Sequence, residues 1–474
     1  MNKIITFIWT FLFLCFNGPL WSQPDVIWTR TYGGNSGETG FSVQQTNDGG
    51  YIICGVTYSY GAGGADIWLV KTDANGDTLW TKTIGEDGDE QAQDIRQTVD
   101  GGFIICAITG SFSFEAQKIW LLKTDAHGDT IWTKTFGGNS YDGGYSVEQT
   151  EDGGYMMIGH IWSYNGTRYD VWLTKTDSLG NVMSNVTFGG FNDDVGKSLQ
   201  STFDGGYIIT GTLDGDVLLA KAGADGDTLW TKLIGGSSGD GGNFVQQTAD
   251  SGYIVTGFTY SYGKGANDIW LIKTDINGDT LWTRTYGGNY NDNGFCVRQT
   301  NDNGYIICGV SNSFSIDNSD IWVIKTNALG DTLWTKVIGG SSPDYGYSVL
   351  QNSTGEYILT GETASDMLLI NLSPVSSAQG KKNKDMAIDF NLYQNYPNPF
   401  NPSTTIEFTL PKSEFVELKV YNILGKEVSI LVSNKLNQGN HTYQFEGKNL
   451  ASGIYYYQLT AGDYRQVKKM ILIK

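Results

Sequence analysis

Basic residues are in short supply. The chain sets 31 Lys and Arg against 50 Asp and Glu, a formal charge of −19. A protein that grips nucleic acid needs a cationic footprint to neutralise phosphates, so nucleic acid is excluded as a partner. The charge suits a surface protein in water. Histidine is scarcer still. His127, His160 and His441 are scattered, and no nucleophile–base pair recurs or stands apart, so no catalytic residue, cofactor or metal is expected. Cysteine occurs five times. Cys54, Cys106 and Cys308 share one repeat position, where other copies carry Ile158, Thr210, Thr256 or Thr360, which marks a medium-sized packing slot. Pairing Thr300 with Tyr305 across the turn would set Val297 opposite Cys308 and send Cys296 to the other face, so no structural disulfide is expected. Long apolar runs are also missing, except Ile4 to Phe16. With Lys3 before it and Ser22 after it, that run reads as a secretory signal peptide over residues 1–22, and no transmembrane segment is expected in the mature chain.

What is abundant is glycine, at 63 residues, and aromatic residues, at 13%. Glycine-rich turns between aromatic and β-branched runs indicate an all-β chain. The runs repeat. The stretch "DANGDTLWTKTIGE" from Asp73 returns as "DAHGDTIWTKTFGG", "DINGDTLWTRTYGG" and "NALGDTLWTKVIGG". Its Trp falls at Trp28, Trp80, Trp132, Trp230, Trp282 and Trp334, with Ser184 in the fourth register, which makes seven copies. Each copy holds four short strands, as in "GFSVQQT", "YIICGVT", "DIWLVKT" and "TLWTKT". Four antiparallel strands in about 50 residues describe a propeller blade. A seven-bladed β-propeller is therefore expected over residues 25–372. The lone first strand, Asp25–Thr31, should complete the seventh blade and cover its edge. A second series, Trp68, Trp120, Trp172, Trp270 and Trp322, with Leu218 and Leu368 in the other two blades, reads as core.

The acid, turn glycine and following tryptophan in "KTDANGDTLW", here Asp73, Gly76 and Trp80, resemble the tryptophan-docking motif of quinoprotein-type propellers. That resemblance implies a Trp on the outermost strand, wedged between blades, and so sets the order of the strands from axis to rim. It does not bring the quinone cofactor, because the cysteine pair and the dedicated acid and base of those dehydrogenases have no counterpart in this sequence.

Loop parity sorts the turns onto two faces. One carries the uniform "DGG" and "NGD" turns, whose Asp residues bond nearby backbone. The other carries the interblade links and the longer loops. Each link contains an acid: Glu38, Glu90, Asp142, Asp194, Asp240, Asp292 and Asp344. Each long loop carries an aromatic after a Ser: Tyr60, Phe112, Tyr164, Tyr262 and Phe314. Two readings of this face stand side by side. The acids fix their links and the rings pack over neighbouring blades, or together they present a surface for a glycan or a protein. The leading function is a non-catalytic binding protein. The alternatives are an extracellular carbohydrate-active enzyme, lyase or hydrolase, and a structural exoprotein.

Residues 373–389 form a polar linker. Residues 390–474 hold nine Lys and Arg against six Asp and Glu, so the acidity belongs to the repeats. Alternating runs there indicate a small Ig-like β-sandwich. The pieces "YPNPFNPST", "VYNILGKEV", "SGIYYYQL" and "KKMILIK" resemble, in order, the type A C-terminal sorting domain of the type IX secretion system. The residues that carry the signal are Pro397, Asn398, Pro399, Gly453, Tyr455, Lys469 and Lys474. The resemblance implies Sec export followed by passage through the type IX machinery, and a secreted or outer-membrane-surface location. It also implies removal of the domain by cleavage in or near Ser373–Ile388.

Overall fold

The computed structural model describes residues 23–111, 116–138, 140–162, 168–190, 192–315, 318–374, 391–392, 395, 400, 402–410, 412–423, 425–437, 439–462 and 464–472. Their regular structure is all strand. The chain divides into two compact units, Met1–Ala378 and Gln379–Lys474.

The first unit contains seven four-stranded antiparallel sheets. In the first full copy, β1 (Val26–Tyr32) precedes β2 (Glu38–Gln45), β3 (Tyr51–Thr57), β4 (Asp66–Thr72) and β5 (Thr78–Ile84). Strands β2 to β5 form one sheet, and β1 pairs instead with Asp366–Leu372 in the last sheet, Trp28 lying opposite Asn371. The first strand of each sheet touches the first strands on both sides, so these seven strands surround an axis. In this copy the middle strands β3 and β4 are buried throughout, whereas β5 alternates between exposed and half-buried residues, as a rim strand should.

Two turn designs explain why the copies look alike. In the turn after β2, Thr46 N–H donates to Gly50 O and Gly49 takes φ +83°, a left-handed conformation that glycine adopts without strain. Ser251 and Asn303 occupy that point in two other copies at φ +67° and +61°. In the turn after β4, the Asp73 carboxylate accepts the N–H of Asn75 and of Asp77, and Gly76 takes φ +77°. A Cβ on Gly76 would lie 2.8 Å from the ring of Trp28, and Gly128, Gly180, Gly278 and Gly330 meet Trp80, Trp132, Trp230 and Trp282 in the same way. These five rim tryptophans thus lie against a turn of the next sheet. The rim rings are half-buried apart from Trp334, while the second series is buried.

Between neighbouring sheets the core is continuous. Ile52, Cys54, Ile67 and Leu69 pack with Ile95, Phe103, Ile105 and Trp120 of the next sheet. Val43, Ile53 and Val70 of the first full sheet pack with Ile358, Met367 and Leu369 of the last.

One register differs from the sequence reading. Cys296 lies directly opposite Cys308, and Val297 opposite Ile307. The cause is the turn, which closes on Thr300 and Gly304 rather than on Thr300 and Tyr305. Both thiols are free and buried, and they donate to carbonyls of the seventh inner strand, Cys296 Sγ to Val349 O and Cys308 Sγ to Gly346 O.

A buried lysine on the third strand of six copies reaches back to the first turn. Lys71, Lys123, Lys175, Lys221, Lys273 and Lys325 pair with Asp48, Asp100, Asp152, Asp204, Asp250 and Asp302. In the seventh copy Asn371 and Asn352 hold Glu356 instead. The Thr150 hydroxyl and the Lys175 ammonium lower Asp152 from 3.8 to about 2, and the Thr202 hydroxyl, against a burial penalty, then Lys221 lower Asp204 to about 2. A depressed carboxylate stabilises the fold above its unfolded pKa, and that contribution disappears as pH falls through the folded value. The melting midpoint is therefore expected to drop between pH 4 and pH 2. Asp204→Asn should lower the midpoint at pH 7 and leave a shallower acid slope, measured by circular dichroism. An identical slope in the variant would show that this pair contributes nothing to acid sensitivity.

The second unit is a two-sheet sandwich. Asn391–Leu392, Ser403–Leu410 and Gly439–Glu446 form one sheet, and Glu427–Leu436, Glu414–Asn422, Gly453–Ala461 and Tyr464–Leu472 the other. Alternate residues meet in a core that includes Leu392, Phe408, Val420, Tyr457 and Met470.

Candidate functional site

The loop-face residues are tied into the scaffold. The rings of Tyr60, Tyr262 and Phe314 lie on Trp68, Trp270 and Trp322 of the same blades, with centroids 5.7, 5.3 and 4.8 Å apart. Tyr60 Oη donates to Gly33 O and Tyr262 Oη to Gly235 O, each at 3.0 Å. About half of each ring remains exposed. Phe112 and Tyr164 lie outside the described residues. The preceding serines reach the acids: Ser111 Oγ donates to Glu90, Ser261 Oγ to Asp240 and Ser313 Oγ to Asp292.

The acids open the inner strands or stand just before them, and all seven are buried. Each accepts the backbone N–H four residues earlier. Gly34 donates to Glu38, Glu86 to Glu90, Gly138 to Asp142, Gly190 to Asp194, Gly236 to Asp240, Gly288 to Asp292 and Gly340 to Asp344. Burial raises Asp142 and Asp194 above the usual carboxylate range. Each carboxylate therefore serves its own link. Among the described residues there is no group of three or more His, Cys, Asp or Glu placed to hold a metal ion. The seventh copy departs from the pattern. With Leu368 in place of tryptophan and no Ser–aromatic pair in its loop, Gly340 faces open space, and a cavity of about 260 Å³ lies between Ile321, Ile338, Asp344, Leu368 and Ile370.

A different constellation lines the axis. Every inner strand shifts register at one point, between Gly40 and Ser42 in the first copy and at the matching residues in the other six. Such a bulge re-aims the extra residue. Both residues at the bulge consequently face the axis and enclose a cavity of about 280 Å³. The first of the two reads Phe41, Gln93, Tyr145, Lys197, Asn243, Phe295 and Tyr347 around the ring. The second reads Ser42, Asp94, Ser146, Ser198, Phe244, Cys296 and Ser348, and Arg96 and Arg298 reach in from two residues further on.

Here the copies differ in chemistry. Asp94 accepts hydrogen bonds from Ser42 Oγ, Ser146 Oγ and Val147 N, and pairs with Arg96 at 2.5 Å. Arg96 Nε also reaches Glu148 Oε1 at 3.3 Å. Burial raises Glu148, and Arg96 opposes the rise. On another side Lys197 Nζ sits 3.6 Å from the centroid of the Tyr145 ring, and burial pulls this lysine down to about 8. Tyr145 also meets His160, whose ring is 4.5 Å from Tyr169 and which burial, then Lys197, lower to about 4, so it is neutral at physiological pH. Phe41 and Phe295 both contact Tyr347, each at 5.1 Å, and form an apolar wall.

None of these residues was read from the sequence as a candidate site, and Cys296 was considered there only as a partner for a disulfide. The signal was there as variance. At a repeat position that takes Phe, Gln, Tyr, Lys and Asn, the scaffold demands nothing of the side chain. Recognising it required the bulge, which a period-two reading of the strand does not show.

The second unit settles the export route. Residues 394–474 match the family described as the secretion system C-terminal sorting domain. The chain carries a type IX secretion sorting domain. Within that domain, Gly453 opens a strand opposite Leu472. Tyr455 is buried and donates from Oη to Ala451 O at 2.8 Å, and Lys469 is exposed opposite Tyr456. Pro397, Asn398, Pro399 and Lys474 lie outside the described residues, as do the signal segment and most of the linker. The sorting domain directs the protein to the cell surface and implies contact with the secretion machinery. No helix among the described residues is long and apolar enough to cross a membrane.

Other likenesses are weaker. The regulatory protein FlaEY of Caulobacter vibrioides is 27% identical over 117 residues, which is 22% of this chain and 12% of that protein. Among solved structures, PorZ, a surface component of the type IX secretion system of Porphyromonas gingivalis, is 11% identical with a TM-score of 0.35, over 88% of this chain and 65% of that one. Drosophila Plexin A, solved with Semaphorin 1b, is 9% identical with a TM-score of 0.44, over 75% and 88%. A puromycin hydrolase is 12% identical with a TM-score of 0.41, over 73% and 52%.

Proposed function

We propose that the protein, delivered to the cell surface by its sorting domain, is a non-catalytic binding protein whose ligand is a glycan entering the axial cavity. One observation carries this reading: the chemically distinctive side chains of the repeats converge on that cavity, where the copies are free to differ. An aromatic wall faced by hydroxyl, amide and charged groups is the combination that stacks on a sugar ring and bonds its hydroxyls. The space, about 280 Å³, suits one sugar unit rather than a protein surface. The half-exposed rings of Tyr60, Tyr262 and Phe314 surround the loop face and offer further contacts to a longer chain.

The test is a binding screen of the full chain against glycans and surface polysaccharides, run beside mass spectrometry for product formation. Retention of a glycan without product is expected. Turnover would replace this reading with that of a carbohydrate-active enzyme. Silence in both assays would leave a structural exoprotein.

A further inference from the structure

The axial cavity holds more positive charge than it neutralises. Arg96, Lys197 and Arg298 are present with two carboxylates, Asp94 and Glu148, and both carboxylates are bonded to Arg96. Among the described residues Lys197 makes neither a hydrogen bond nor an ion pair, and its ammonium rests on the Tyr145 ring. The Arg298 guanidinium lies 4.5 Å over Phe244, and its Nε is buried without a hydrogen-bond partner among the described residues. Glu148 is close enough to feel Arg298 but does not bond it. A buried donor left unpaired is costly, and rings do not satisfy it. In a chain of charge −19, such cations inside a cavity are out of keeping with the surface around them.

Given a glycan in the axial cavity, as proposed above, we propose that its sugar is acidic, and that Lys197 and Arg298 receive its carboxylate while Phe41, Phe295 and Tyr347 take the ring. The site is amphipathic in the required sense. Its apolar wall comes from the first, sixth and seventh blades, and Lys197 stands on the fourth, beside Ser198 and Asn243. A guanidinium and an ammonium around one carboxylate give charge-assisted bonds, stronger than those to a neutral hydroxyl. A neutral sugar of the same shape leaves both cations without an anion, so the pair discriminates by what it would leave unsatisfied. Burial lowers Lys197 only to about 8, so it remains cationic at neutral pH.

The experiment is calorimetric titration of the full chain at fixed low ionic strength with sodium D-glucuronate, methyl glucoside and sodium sulfate. Glucuronate is expected to saturate one site, and methyl glucoside to bind at least about tenfold more weakly. Lys197→Gln and Arg298→Gln should each weaken glucuronate at least about tenfold, and Lys197→Arg should retain it. Melting curves confirm that each variant is folded. Glucuronate binding that both Gln variants leave intact would overturn the assignment. Sulfate displacing glucuronate at equal affinity would reduce the site to a simple anion pocket and also overturn it. Binding of neutral glycans with no response to glucuronate would remove the acidic-sugar assignment and leave the glycan-binding function standing.

Discussion

A chain lacking Asp25–Thr31 loses the stability of its whole repeat unit, with a melting midpoint lower by about 10 °C or more. The strand removed is a single rim strand, yet it belongs to the last sheet and touches the first. It pairs along its length with Asp366–Leu372, and Asp25 exchanges hydrogen bonds with Ser373. Its side chains reach into the first full copy. The Trp28 ring lies 6.4 Å from that of Tyr51 and covers Gly76, Arg30 pairs with Asp77, and the neighbouring Tyr32 donates to Gly76 O. Burying one large apolar side chain is worth about 1.5–3 kcal/mol, so Trp28 with the contacts that depend on it represents about 5 kcal/mol. A typical domain has only about 5–15 kcal/mol in total. The deletion also uncovers the edge of Asp366–Leu372, which invites pairing with another chain. Circular dichroism melts and light scattering read both effects. A midpoint unchanged from the full chain would mean that β1 is ornamental.

The position of that strand was legible in the sequence because the rim motif is local and periodic. Trp28 is an orphan copy of a motif whose five other tryptophans mark complete blades, and counting alone shows that the last copy lacks a rim. Turn chemistry was legible for the same reason, since Gly49 and Gly76 have to adopt a positive φ that few other residues tolerate. Three things were not legible. The bulge in each inner strand depends on how seven strands crowd around an axis, a contact that no local window contains. The acids read as parts of the links but open or adjoin the inner strands, because backbone pairing, as of Glu38 with Thr57, extends further than the alternation suggested. The placing of Cys296 opposite Cys308 turned on one residue of turn length. In each case the missing information was register, and a one-residue error in register exchanges the two faces of a strand.

Arg96→Gln should cost about 3–5 kcal/mol, because it leaves two buried carboxylates without their cation. Asp94 and Arg96 are nearly enclosed and Glu148 is only slightly less so. Elsewhere in the ring the same two positions hold Ser42 and Gln44, or Ser198 and Gln200, and Glu148 is replaced by Gln246 in the fifth copy. The scaffold therefore accepts neutral residues at all three sites. The triple variant D94S/R96Q/E148Q should recover most of the stability that R96Q loses, even though it removes every bond of the network. A buried ion pair is weak evidence of net stabilisation, and what breaking it exposes is the desolvation of the partner left behind. Denaturant midpoints of the wild type, the single variant and the triple variant separate the two effects. Equal loss in both variants would mean that the network is a true stabilising element of the ring. Recovery in the triple variant would mean that its charges are tolerated by the fold rather than required by it, as expected of residues that serve the cavity they line.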